Sequence, residues 1–426
     1  MKKTIGMMLT ACALVCTVEA FTVKNVSANT RWPWNGVLDV DFNIDGAKVG
    51  DLFRVEIKAK YAEGSKTLVG RTYVSEPLCS PGKNRVSWDA RADYPDLNIA
   101  DMQVAVTVHP VNADACDVYM VIDLSSGPNS SRYPVRYTFT PPNLAPASDL
   151  VACTKDPCRT TQMWFKRIKG NTFPFYGTND NKGEGYFKVR LSPYYIGIFE
   201  VTQQQWAQVM DAWPAKFTNT TWRAARPVEN INYEDVIGHN NYPEDKTVAD
   251  NSFVGKMRAR TGIETFNLPT EAQWECACRA GYAKSFNSDF ASADVRFKLS
   301  SADLTYNEDT ASGTAIVGTY KANKWGLYNM YGNVMEMCLD AWTGISTLTE
   351  YYATLYGEGN PAIDPTGPAT CHTTRRKHST RGGCWYNSDI AYCYNYYRNF
   401  GDRDHTGTRH HGTGARFVIA PKEKED

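Results

Sequence analysis

Beyond its first twenty residues the sequence has no apolar run approaching the roughly 18 residues that a membrane-spanning helix needs. Net charge is also missing. The 46 basic residues balance 46 acidic ones, which gives no electrostatic ground for capturing nucleic acid or an anionic membrane. Histidine is scarce, at seven in 426 residues, and none forms the helix-borne pair with an adjacent glutamate that a zinc protease uses. His405, His410 and His411 lie among Gly, Thr, Asp and Arg. The last two are adjacent, so their side chains need not converge on an ion, and they are not read as a metal centre.

What is present begins with an address. MKKTIGMMLTACALVCTVEAF has two lysines, an apolar run and then small Ala20, the layout of a secretory signal, so residues 1–20 are set apart from the fold. A lipobox-like LTAC ends at Cys12, but the apolar run continues past it, which favours cleavage near Ala20 over lipid attachment. The expected product is secreted or periplasmic, without a membrane span. Of twelve cysteines, Cys12 and Cys16 fall in this segment, leaving ten, an even number that reads as disulfides in an oxidising compartment. Spacing does not give their pairing. Cys276 and Cys278, two apart, point away from one another and are not expected to bond together.

From residue 21 to 142, segments such as VLDVDFNI, FRVEIKAKY, VAVTVHPV and YMVIDL alternate apolar and polar residues between turns rich in Gly, Pro, Asn and Asp. Period-two alternation predicts half-buried antiparallel strands and an all-β sandwich of fibronectin or immunoglobulin type. Residues 143–160 lack periodicity and read as a linker, with Cys153 and Cys158 available to pin it. From 161 to 420 strands and loops alternate with short helices, and 421–426 is a polar tail. Thr202 with Gln205, and Thr270 with Gln273, have capping-box spacing and predict two helix starts. Trp206, Val209 and Met210 on one helix, and Trp274 and Cys278 on the other, should pack inward.

Five blocks then become familiar: YYIGIFEVTQQQWAQVM, RPVENINYEDV, FNLPTEAQWECACRAG, KWGLYNMYGNVMEMCLDAW and STRGGCWYNSDIAYC, followed by GARFV. In order and spacing they resemble the sulfatase-modifying-factor family, whose founding members are formylglycine-generating enzymes. The resemblance covers about 160–420 and implies a loop-rich α+β fold related to C-type lectins. The family's active enzymes oxidise a cysteine in a Cys-x-Pro-x-Arg segment of a sulfatase polypeptide, using oxygen and a copper ion held by two thiolates. Soft thiolates suit Cu(I). Here the first of that pair falls on Asn387, an amide that ligates Cu(I) poorly, while Cys393 fits the second with one extra residue in the loop. Cys384 stands at the motif's serine and is the other candidate thiol. The resemblance also implies a structural calcium bound by Asn329, Gly332, Val334 and Glu336. Met335 and Met337 replace the tryptophans that usually flank the glutamate, and the family's other calcium site has no clear counterpart around Ser301 to Gly313.

Two functions follow. In one, a degenerate relative binds a protein or a small polar ligand through a C-terminal face. That face would comprise Trp385, Tyr386, Asn387, Tyr392, Tyr394, Tyr396, Arg398, Asp402 and His405, a mixture of aromatic anchors and adaptable polar groups like that of a paratope. In the other, Cys393 and Cys384 serve a working oxidase with Cu(I). A sharper form of the first comes from bacterial diversity-generating retroelements, many of whose targets resemble this family. They mutate adenines of asparagine codons, which cannot yield Lys, Glu, Gln, Met or Trp, and residues 386–415 contain none of the five.

Overall fold

The strand Val37–Asp45 shows how the first unit is built. Leu38, Val40, Phe42 and Ile44 are buried while Asp39, Asp41, Asn43 and Asp45 point toward water. In this computed structural model the described residues are 21–31, 35–61, 66–96, 103–111, 117–146, 148–175, 186–238, 247–282, 295, 297, 313–368, 378–400 and 409–421. Val37–Asp45 pairs antiparallel with Thr22–Thr30 on one side and Gly82–Asp89 on the other, setting Leu38 opposite Trp88 and Val40 opposite Val86. On the outer face Arg31 and Arg85 form forked pairs with Asp39 and Asp41 at 2.7–2.9 Å. A second antiparallel sheet centres on Phe53–Tyr61, flanked by Lys66–Val69, Leu78–Cys79 and Gln103–Pro110, with Val55, Ile57 and Ala59 buried. Two sheets, each with one buried face, make the sandwich that the alternation predicts.

That unit ends at Val111, not at Pro142. The strands Tyr119–Asp123 and Val135–Thr138 belong to the second unit, where Tyr119–Asp123 pairs antiparallel with Gln162–Ile168. Gln162–Ile168 in turn pairs with Tyr194–Gly197, and that strand with Val418–Ile419. The linker expectation for 143–160 is likewise corrected. Its Asp and Pro residues are helix starts: Asp149 caps Leu150–Cys153, and Asp156 caps Pro157–Thr160 with Pro157 in the first turn. Cys153 and Cys158 are buried, and Arg159, also buried, pairs with Asp156 at 2.5 Å and donates to the Val317 carbonyl.

Both predicted capping boxes are present. Thr202 opens Gln203–Met210 and Thr270 opens Glu271–Arg279, each hydroxyl accepting from the N3 amide while the glutamine oxygen accepts from the cap amide. Trp206, Val209, Trp274 and Cys278 are buried as expected, and Met210 is partly exposed. Trp206 stacks on Phe253 and Phe253 on Phe417, centroids 4.8 and 4.9 Å apart. The C-terminal region rests on a sheet centred on Met335–Ala341, which pairs antiparallel with His378–Arg381 and parallel with Thr413–Gly414. Asn399–Phe400 flanks His378–Arg381. No described helix is long and apolar enough to cross a membrane.

Candidate functional site

After His378–Arg381 the chain turns through Gly382 and Gly383, at φ +93° and +69°. A Cβ on Gly383 would lie 2.7 Å from the Cys393 sulfur, so only glycine admits both the conformation and the contact. Asn387 closes the next turn. Its Oδ1 accepts from the Cys384 amide at 2.6 Å, and its own amide donates to the Cys384 carbonyl at 3.1 Å. Asp389 then caps the 3-10 turn Ile390–Cys393 by accepting from the Ala391 amide.

Cys384 and Cys393 are both fully buried. Burial pushes the Cys384 thiol up to about 12, and burial followed by the nearby Cys384 pushes Cys393 up as well. Burial thus favours the neutral thiol at both positions. Among the described residues Cys79, Cys153, Cys158, Cys276, Cys278, Cys338, Cys384 and Cys393 are buried free cysteines that fill the core as small apolar side chains. Cys116 and Cys371, also counted in the disulfide expectation, lie outside the described residues.

The expected binding residues divide into two sets. Tyr392 is 37% exposed, and Tyr386, Asn387 and Tyr394 are partly exposed. Trp385 and Tyr396 are corrected, because both are buried. Trp385 sets its ring edge against Phe217 at 5.2 Å and donates from Nε1 to the His411 carbonyl at 3.2 Å. Arg398 is corrected too. Its guanidinium is inside the protein, forked onto Glu271 at 2.6 and 2.7 Å. Asp402 and His405 lie outside the described residues, as does the segment 1–20 with Cys12 and Ala20. The residues that join the face instead are His410 and His411, whose rings stack at 4.5 Å and lie 5.2 and 5.5 Å from Tyr386. Tyr397 adds an edge-on contact with Tyr392 at 5.1 Å.

Beneath this face lies a buried ionic network. Arg381 reaches Glu275 at 2.5 Å and Glu271 at 3.2 Å, and its Nη1 donates to the Asn395 and Tyr397 carbonyls at 3.1 and 3.2 Å. Glu275 also pairs with Arg279, and Ser379 donates to Glu271. Burial raises the Glu271 carboxyl, but Arg398 and then Arg381, with the Ser379 hydrogen bond, outweigh it and hold the group at about 2. Asp340, which accepts from the Glu271 amide at 2.8 Å, is pushed up to about 7 by burial and by Glu271.

The calcium set is placed together but differently employed. Asn329 Oδ1 accepts from the Gly318 amide, the Gly332 amide donates to the Gly382 carbonyl, and the Val334 amide donates to Glu200. Glu336 accepts from Arg416 on both oxygens at 2.7–3.0 Å and from Trp274 Nε1 at 2.7 Å. Its carboxylate is thus met by a guanidinium. Sequence reasoning missed Glu200, a buried carboxylate bound to Asn333 Nδ2 at 2.7 Å and pushed up by burial and by Glu336. It also missed Glu229. A lone carboxylate inside an apolar run, as in IGIFEV, is the signal that marks Glu200. Among the described residues no three His, Cys, Asp or Glu side chains converge as a metal centre.

This architecture is a loop-rich α+β domain whose short capped helices and turns hold a C-terminal segment against a central strand. The model for the Sulfatase-modifying factor enzyme 1-like domain matches residues 158–421. The chain belongs to that family. It is 32% identical over 225 residues to Chaperone protein LppX of Paenibacillus barcinonensis, covering 46% of this chain and 78% of that one. It is 27% identical over 288 residues to the formylglycine-generating enzyme of Thermomonospora curvata, covering 54% and 84%. Among solved structures it is similar to Treponema denticola variable protein 1, at 23% identity and a TM-score of 0.44, covering 61% and 96%.

Proposed function

We propose that this family member is an exported binding protein without oxidase chemistry, recognising a protein or a small polar ligand through the face formed by Tyr386, Asn387, Tyr392, Tyr394, Tyr397, His410 and His411. The observation that carries this reading is the Cys384–Asn387 turn. The residue standing at the first copper position is an amide already engaged with the Cys384 backbone, and the two thiols nearby are buried and held protonated. This donor set does not fit a Cu(I) centre, which needs two accessible thiolates. Exposed tyrosines supply rigid contact area, and asparagine and histidine supply adaptable hydrogen bonds. Export rests on the sequence pattern of residues 1–20 alone.

Copper-loaded protein incubated with a Cys-x-Pro-x-Arg peptide should give no aldehyde by mass spectrometry under conditions where a formylglycine-generating enzyme succeeds. Formation of the aldehyde would return the oxidase reading, with a sulfatase polypeptide as partner. The retroelement form of the proposal draws on the residue types of 386–415 and on how they are placed. Tyr386, Asn387, Ser388, Asp389 and Tyr392 reach the surface, while Cys393, Asn395 and Tyr396 of the same segment are buried. It predicts a near-copy of this segment's coding sequence beside a reverse-transcriptase gene, and a complete genomic neighbourhood lacking either one removes it.

A further inference from the structure

Glu229 is fully buried and serves none of the roles above. Its Oε1 accepts from two consecutive amides, Lys216 at 2.5 Å and Phe217 at 3.0 Å, while Oε2 is buried without a hydrogen-bond partner. Gln203, from the helix Gln203–Met210, holds the other side of the same residue by donating from Nε2 to the Phe217 carbonyl at 3.0 Å. Phe217 is therefore gripped at both its amide and its carbonyl, and a side chain at Gly313 would clash with its ring. The ring meets Trp385, and Trp385 meets His411 and Tyr386 at 5.6 and 5.4 Å. Next along the chain, Asn230 donates from its amide to the His410 carbonyl at 3.0 Å and from its side chain to the Pro214 carbonyl at 2.7 Å. The loop carrying Lys216 and Phe217 and the segment carrying His410 and His411 thus share one anchor.

We propose that Glu229 is a positioning residue for the binding face, gripping the Phe217 backbone through a hydrogen-bond pair that tightens when its carboxyl loses its proton. A charged acceptor makes the stronger hydrogen bond. The charge is also favoured by the fields of two cations, exposed Lys216 on the loop and Arg226, whose guanidinium lies 5.6 Å from the Phe217 ring centroid. The titratable groups on the opposing C-terminal segment are His410 and His411. Burial first, opposed by the two amide hydrogen bonds and these cations, places the Glu229 carboxyl at about 7, so the grip changes around neutral pH. The consequence for ligand capture rests on the binding reading. The grip itself does not.

The test uses the full chain without ligand, labelled with 15N, across pH 5 to 9. The Lys216 and Phe217 amide protons should move downfield together with a midpoint of about 7, with the Trp385 indole proton following. Glu229→Gln keeps the accepting oxygen and should fold, hold these amides at their low-pH positions and abolish the titration. A His410→Asn, His411→Asn double variant should keep it, which separates the carboxyl from the neighbouring imidazoles. Survival of the transition in Glu229→Gln, its loss in the histidine variant, or amides that do not move overturns the proposal. Because no ligand is involved, failure here is distinct from failure to bind.

Discussion

Replacing Arg381 with methionine should lower the thermal midpoint of the second unit by about 10 °C. The guanidinium has no exposed surface, bridges Glu271 and Glu275 and lies over the rings of Trp274 and Phe175. Methionine fills comparable space, so the loss is electrostatic. Two carboxylates would remain buried with one cation fewer, and removing one partner of a buried ion pair costs about 3–5 kcal/mol. At roughly 2–4 °C per kcal/mol for a unit of a few hundred residues, that gives the stated shift. Arg409→Met is the control. It removes an exposed pair with Asp235, where loss is within about 1 kcal/mol. If Arg381→Met melts within about 2 °C of the parent, the network is not what holds this base together.

The same substitution should loosen the binding face. Arg381 Nη1 holds the carbonyls of Asn395 and Tyr397, and those bonds keep the tyrosine run against the sheet. Faster amide exchange confined to residues 394–399 is the expected mark of that role.

Some of this was legible in the sequence. Alternation in VLDVDFNI and FRVEIKAKY gave the sandwich strands because a half-buried strand has a period of two. Thr-x-x-Gln spacing gave two helix starts because the cap is a local exchange of hydrogen bonds. A third box, Asn232 with Asp235, works the same way with shorter side chains. Other features depend on partners far along the chain. YMVID reads as a strand, but nothing local says that it pairs with Gln162–Ile168 and so belongs to the second unit. Arg398 reads as a surface group until Glu271, 127 residues earlier, meets it inside the protein. Tyr392 and Tyr396 are alike in composition, yet the 3-10 turn between Ile390 and Cys393 leaves one in water and the other buried. Local pattern identified elements and caps. The sign and depth of a charge were set by contacts that no window of sequence contains.

Stability should pass through a maximum near pH 4 to 5 and fall on both sides, for two opposite reasons. Glu271 is held at about 2, below its unfolded value of roughly 4.3, so its contribution is complete above that unfolded value and is lost as pH falls toward 2. That limb is on the order of 3 kcal/mol. Asp340 and Glu229 lie at about 7, above their unfolded values of roughly 4, so between these limits the folded chain holds protons that the unfolded chain has released. Their contribution is full below the unfolded value and is lost as pH rises toward 7; Glu200, also pushed up, acts in the same direction. Urea unfolding from pH 2 to 9 tests both limbs. The Asp340→Asn, Glu229→Gln double variant retains oxygens that can accept from the Glu271, Lys216 and Phe217 amides, and it should flatten the decline toward neutral pH while leaving the acid limb intact. A parent protein whose stability rises steadily from pH 4 to 7 would mean that these carboxyls are charged in the fold, each with a cation closer than Arg226 or Arg398 now stands.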